Sequence, residues 1–311
     1  MKRREFIVNT SLAGIGLHAS GIAAAPILKD MIPSPSQGKS PLKIKKSLKY
    51  GMIKTEGTIL EKFQLLKDLG YDGVELDSPN DLDTNEILEA KEKTGLEIPG
   101  VVNSMHWKFP LSHPDPKIRA TCVESMTTAL KDCKTYGGTT VLLVPGVVNE
   151  EISYGGAWER SRIEIEKMIP EAEKTGIKIA FENVWSNFII SPIEAANYVD
   201  QFNHELIGWY FDIGNIVRYG WPEHWIEVLD HRIMKLDVKE YSRKLQRDEG
   251  VWKGFNVELM EGDCNWPVVI NALDKIGYEG WASAEVPGGD RDRLQTVIEK
   301  MDAIFDIVPT N

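Results

Sequence analysis

Cysteine is scarce, with 3 in 311 residues. Cys122 and Cys133 fall in one helical stretch 11 positions apart. That is roughly 16 Å along an α-helix, beyond the reach of a disulfide. With Cys264 the count is odd, and no CxxC occurs. This excludes a disulfide framework and a cysteine zinc finger, and leaves buried reduced thiols as the expectation. Positive charge is in deficit: 36 Lys and Arg stand against 47 Asp and Glu, a net −11. Such a balance weighs against a nucleic-acid-binding surface and disfavours adhesion to anionic membranes. After residue 25 there is no run of 18 apolar residues, so no spanning helix is expected. No G-x-G-x-x-G follows the first strand, which weighs against a dinucleotide site.

What is present begins with a separable N-terminus. Residues 1–25 open on Lys2, Arg3 and Arg4, then run apolar and small to Ala23-Ala24-Ala25. Arg3-Arg4 before Phe6 resembles a twin-arginine export signal, which predicts a periplasmic or exported protein. Removing this stretch takes away a net +2 and leaves the remainder near −13. Residues 26–46, rich in Pro, Ser, Gly and Lys, read as a tether. Residues 47–311 then form the folded domain.

Within that domain short β-rich runs alternate with amphipathic ones. The strands are expected at Leu48–Met52, Gly73–Leu76, Ile98–Asn103, Thr140–Val144, Ile177–Glu182, Ile207–Asp212, Ile233–Val238 and Trp281–Glu285. Between them, Ile59, Phe63, Leu66 and Leu69 make one helical stripe, and Ser191-Pro192 reads as a helix start. Several helical runs end on a glycine directly before a strand. Eight strands alternating with helices predict an α/β fold of a single domain, a (β/α)₈ TIM barrel, over an open doubly wound sheet.

Active sites of such barrels sit at the C-terminal strand ends. Four carboxylates fall there in succession: Glu182, Asp212, Asp237 and Glu285. Each follows an apolar run, as in "IAFE" and "WYFD". One strand-end acid is ordinarily a helix cap or a salt-bridge partner. Four together repel unless a cation gathers them, so one divalent metal is expected.

The pieces "YDGVELD", "IAFENVW", "YFDIGN", "RIMKLDVKEY", "EGDCNW" and "GWASAEV", in this order, resemble the xylose-isomerase-like sugar isomerase/epimerase superfamily across residues 47–305. The resemblance implies that Glu182, Asp212 and Glu285 hold a metal and that the two glutamates exchange protons with substrate. It also implies a homo-oligomer, a dimer or tetramer. At the seventh strand the family typically reads Arg-Ile-x-His-x-His-x-Lys-Asp. Here Lys235 and Asp237 replace the histidines, and Asn215 stands where a further histidine often follows the sixth strand. An all-carboxylate site favours a hard ion, Mn²⁺ or Mg²⁺. Lys235 and Asp237 share a strand face, which equally fits a metal-free ion pair.

The implied chemistry is proton abstraction next to a carbonyl through an enediolate, giving a sugar isomerase or epimerase. Export points to an unphosphorylated keto-sugar or sugar derivative. The alternatives are elimination from a 3-keto-glycoside, a lyase, and a non-catalytic sugar-binding barrel. His106, Trp107, Trp185, Asn215, Lys239, Arg218 and Arg243 are the expected substrate-binding residues. An abasic-site nuclease shares this fold but needs a basic surface and a histidine-rich metal site.

Overall fold

The computed structural model describes residues 39–310. The expected export signal and residues 26–38 of the expected tether lie outside them. Eight parallel strands close into a barrel in sequence order: β1 (Ile44–Lys49), β2 (Gly73–Ser78), β3 (Gly100–Asn103), β4 (Thr140–Leu143), β5 (Lys178–Glu182), β6 (Ile207–Asp212), β7 (Ile233–Val238) and β8 (Gly280–Ala284). Closure of β1 onto β8 excludes the open sheet.

β1 corrects the sequence reading twice. It starts inside the stretch read as tether, and it ends at Lys49, where Tyr50–Met52 turns into a 3₁₀ helix. β8 stops at Ala284, so Glu285 lies one residue past it. Its N–H still donates to the Val238 carbonyl, which fixes it to the strand end.

The helices form where periodicity and caps coincide. Helix Ile59–Leu69 starts with a capping box between Thr58 and Glu61 and buries Ile59, Phe63, Leu66 and Leu69. It ends on Gly70 in the left-handed region, at φ 95°. Cys122 and Cys133 face inward from helix Pro116–Tyr136, and all three cysteines are buried free thiols. Among the described residues no helix is long and apolar enough to cross a membrane.

The main core lies between barrel and helices, where each large apolar side chain contributes about 1.5–3 kcal/mol. The barrel interior is different. Its buried apolar cluster is Leu142, Ala180 and Tyr210, with Val102 and Met234 beside it. Charged groups fill other interior positions: Glu75, Lys235 and Asp237 are all buried. That polar interior is the floor of the site.

Candidate active site

Glu182 ends β5 and Asp212 ends β6. Asp237 pairs with Asp212 across β6–β7 and with Ser283 across β7–β8. One oxygen from each of Glu182, Asp212, Asp237 and Glu285 lies within 4.8 Å of the others. Asn183 ties the two strand ends together. Its side chain accepts from the Asp212 N–H and the Trp209 indole and donates to the Asp212 carbonyl. Asp212 also caps the short helix Ile213–Val217, accepting from Asn215 N–H at 2.8 Å.

Three lysines enter this acidic centre. Lys239 Nζ lies 2.8 Å from Asp212 and 3.4 Å from Glu285. Lys49 Nζ lies 2.8 Å from Asp237 and 2.7 Å from Glu75. Lys235 pairs with the other oxygen of Glu75, and Tyr210 donates to Glu75 at 2.7 Å. Lys235 and Asp237 do share the inward face, yet they do not pair: Lys49 takes Asp237. Gly100 leaves room for Lys235, since an added Cβ would stand 2.8 Å from its Nζ.

Proton affinities separate accordingly. Burial, then the charges of Glu285 and Asp237, push Glu182 well above the usual carboxylate range. Burial raises Asp237 strongly and Asp212 as well, against the pull of Lys49 and Lys239 respectively. Glu285 goes the other way: burial opposes ionisation, but Lys239 and Lys49 outweigh it and hold the group below its ordinary value. Glu285 is also the carboxylate with solvent access, its side chain 40% exposed. Burial lowers His106 to about 4, so it is neutral near pH 7. Its Nδ1 accepts from Val144 N–H, which leaves the proton on Nε2.

Above the centre lies a cavity of about 460 Å³. Glu182, Asn215, Lys239 and Glu285 line its polar end, and Trp107, Trp185, Trp252 and Phe255 line the rest. A smaller cavity shares Trp107, Glu182 and Glu285 with it and adds Lys49, Asp77 and His106. The structure therefore brings His106, Trp107, Trp185, Asn215 and Lys239 to the site. Arg218 and Arg243 line neither cavity. Arg218 covers the Trp185 ring at 4.7 Å. Arg243 is committed to the carbonyls of Val217 and Gly220, so it staples two loops. Sequence reasoning missed Lys49, Asp77, Asn183, Trp252 and Phe255. A correct register for β1 would have exposed Lys49, as a charged residue ending a strand.

The four carboxylates fit a divalent cation. Both oxygens of Asp237 and Oδ2 of Asp212 are buried without a well-aligned hydrogen bond, although ammonium groups stand 2.8 Å away. Oxygens in that condition are the hard donors such an ion takes.

Barrel and site together define an enzyme of the sugar isomerase/epimerase kind. The chain belongs to the xylose isomerase-like TIM barrel family, whose model matches residues 63–306. It is similar to the L-ribulose-5-phosphate 3-epimerase UlaE of Escherichia coli O1:K1 / APEC, with 28% identity over 233 residues, 71% of this chain and 79% of that one. Two solved structures share the fold. The 3-keto-D-glucoside 4-epimerase YcjR from E. coli superposes with TM-score 0.70 at 14% identity, over 84% of this chain and 99% of that one. The IOLI protein with a bound zinc atom gives TM-score 0.71 at 17% identity, over 86% and 100%.

Proposed function

We propose that the protein is a cation-dependent epimerase of an unphosphorylated keto-sugar, exchanging a proton on the carbon next to a carbonyl. The observation that carries this is a pair of glutamates, Glu182 and Glu285, that line one cavity with a carboxylate oxygen of each in the same four-carboxylate cluster. Such a pair supplies an acid and a base from the same residue type. Glu285, ionised, takes the proton from substrate carbon. Glu182, protonated, returns one to the opposite face. Each cycle leaves the two glutamates with exchanged protonation, and before the next Glu285 gives its proton to water while Glu182 takes one up from water in the cavity they share. Glu182, Asp212, Asp237 and Glu285 would hold the cation, Mn²⁺ or Mg²⁺. Its chemistry there is to stabilise negative charge as it develops on the substrate oxygens. Lys239 and the Nε2–H of His106 are placed to hold substrate hydroxyls.

The absence of a phosphate in the substrate rests on the cavity lining. Its one cation among the described lining residues is Lys239, already shared by Asp212 and Glu285. A phosphate dianion calls for arginine or an uncommitted lysine. The export expected from residues 1–25 would separate the enzyme from cytoplasmic sugar phosphates and so points the same way. Changing Arg3 and Arg4 to lysine should strand the precursor inside the cell; an unchanged periplasmic fraction would remove that support.

The test is incubation with keto-sugars in D₂O and Mn²⁺, followed by NMR. Deuterium should appear on the carbon beside the carbonyl. Sugars that bind without any exchange would establish a non-catalytic sugar-binding barrel instead. Cation binding must displace protons from Asp237 and Asp212, whose affinities for them are raised. Calorimetry in buffers of different ionisation heat should therefore show proton release on Mn²⁺ binding, with affinity rising as pH rises above the ordinary carboxylate range. A pH-independent affinity would argue against these ligands. If the substrate carries a leaving group β to the abstracted proton, the same step expels it. The apolar length of the cavity favours this second reading, and a released aglycone in the same assay identifies it.

A further inference from the structure

The proton chemistry occupies one end of the large cavity and leaves its aromatic end unused. Trp185, Trp252 and Phe255 meet there. Trp185 stands 4.8 Å from Trp252 and 4.7 Å from Phe255, with interplanar angles of 47° and 32°; Trp252 and Phe255 are 6.5 Å apart at 36°. The three rings lean together into one slab. Tyr241 backs it, edge-on to Trp185 at 5.4 Å and to Phe255 at 4.9 Å. Yet Trp252 is 69% exposed and Trp107, on the same cavity, 53%. Two exposed tryptophans at the mouth of a cleft bring large apolar area to water, which marks a surface that a ligand covers.

The wall is built, not loose. Trp252 and Phe255 belong to the connection between β7 and β8, and Glu240 pins that connection. Its buried carboxylate accepts from the N–H groups of Met260 and Cys264 and from the Trp266 indole. Tyr241 donates to the Val251 carbonyl, and Ser242 N–H to that of Gly254, on either side of Trp252. A wall ordered in this way needs little entropy loss on binding.

Its chemistry selects the ligand. Polar groups gather at the carboxylate end. Glu240 lines the cavity too, but its oxygens are taken by the donors just named. The Trp185 indole N–H is given to the Asn215 carbonyl. Val257, Val286 and Pro287 complete the lining. A second sugar ring laid here would find few protein partners for its hydroxyls, so the wall offers it no directional hold. A flat aromatic group has no such requirement, and stacking on indole favours it.

We propose that this wall is an aglycone subsite, and that the substrate is a glycoside with a flat, apolar aromatic aglycone. The sugar lies at Glu182 and Glu285, and the aglycone lies on Trp252 and Phe255 toward the mouth. This deepens the proposed keto-sugar chemistry and rests on it only for the sugar's position.

The experiment measures binding, so it stands apart from turnover. Methyl and phenyl glucosides, each as both anomers, are titrated calorimetrically into the cation-loaded protein. Phenyl should bind about tenfold tighter than methyl, the equivalent of 1.4 kcal/mol. Trp252→Ala should reduce that ratio to near one without changing the melting temperature, because the ring is mostly in water; Trp252→Phe should retain most of it. Equal affinities for methyl and phenyl, a ratio untouched by Trp252→Ala, or no binding of either glucoside overturns the subsite. An intact phenyl preference without deuterium exchange on any keto-sugar supports the subsite while ending the epimerase reading. Exchange without a phenyl preference overturns the subsite alone.

Discussion

Replacing Glu182 by glutamine is expected to cut proton exchange and epimerisation by about 10²–10⁴-fold. Glutamine fills the same space and still meets the Asn215 side chain, which reaches the Glu182 oxygen at 3.4 Å. It cannot pass on a proton. The stability change has a defined sign that separates a chemical loss from a folding defect. Glu182 has its folded pKa raised above the ordinary carboxylate value by burial and by Glu285 and Asp237. The unfolded chain therefore binds fewer protons there than the folded one, and Glu182 costs stability at any pH above that ordinary value. In cation-free protein at pH 8, Glu182→Gln should melt at or above the wild-type temperature. Glu285→Gln should lose activity equally but shift stability the other way. Its folded pKa is depressed, so its contribution is present above the ordinary carboxylate value and lost as pH falls through the folded one. That shift is small, since the side chain is partly in water. Full exchange by Glu182→Gln would remove Glu182 from the mechanism.

The fold was legible where apolar runs are long and end on a carboxylate. β6 and β7 fall at their expected bounds because "IGWYFD" and "IMKLDV" bury nearly every position and then meet the acid of the site. β1 was misread for a physical reason. In "IKKSLK" the inward positions are Ser47 and Lys49, so the apolar signal is only Ile44 and Leu48, facing the helices. Lys45 and Lys46 looked like tether. In the structure Lys45 covers the Trp281 ring at 5.1 Å and pairs with Glu97, while Lys46 pairs with Asp302. Their aliphatic stems serve as cover for the sheet.

The site divides in the same way. Parallel strands put Glu182, Asp212 and Asp237 at one end of the barrel, and strand alternation turns them to its inner face. Loop residues have no such alternation. Arg218 and Arg243 were expected at the site from their nearness in sequence to β6 and β7; Arg243 is held instead by backbone carbonyls, and Arg218 sits on the Trp185 ring without itself lining either cavity. Trp252 and Phe255 were invisible because "VWKGF" has no period. Their place is set by Glu240 and by contacts between residues far apart in the chain. The substitution of histidine by Asp237 looked like a change of one ligand. It is joined by Lys49 and Lys235, which supply positive charge below the ligands.

Lys235→Met is expected to destabilise the protein by about 3–5 kcal/mol, the usual result of removing one partner of a buried ion pair. Lys235 and Glu75 are 2% and 1% exposed, inside the barrel. Burial alone would raise the Glu75 pKa, but Lys235 and then Lys49 outweigh it and hold it far below the ordinary value. Without Lys235, Glu75 keeps one ammonium, Lys49, which must also serve Asp237. The cost should shrink when both charges go. In Lys235→Met with Glu75→Gln, glutamine still accepts from Tyr210 and Lys49 and no charge is stranded. Urea denaturation of the two single variants and the double variant forms a cycle, and the coupling should exceed about 1 kcal/mol. The acid limb gives an independent reading. A depressed folded pKa means that Glu75 contributes stability fully above its unfolded value near 4.5, and loses it as pH falls toward the folded one. Glu75→Gln should flatten the fall in stability below pH 4.5. Additive single variants with an unchanged acid limb would show that Lys235 and Glu75 are not energetically coupled.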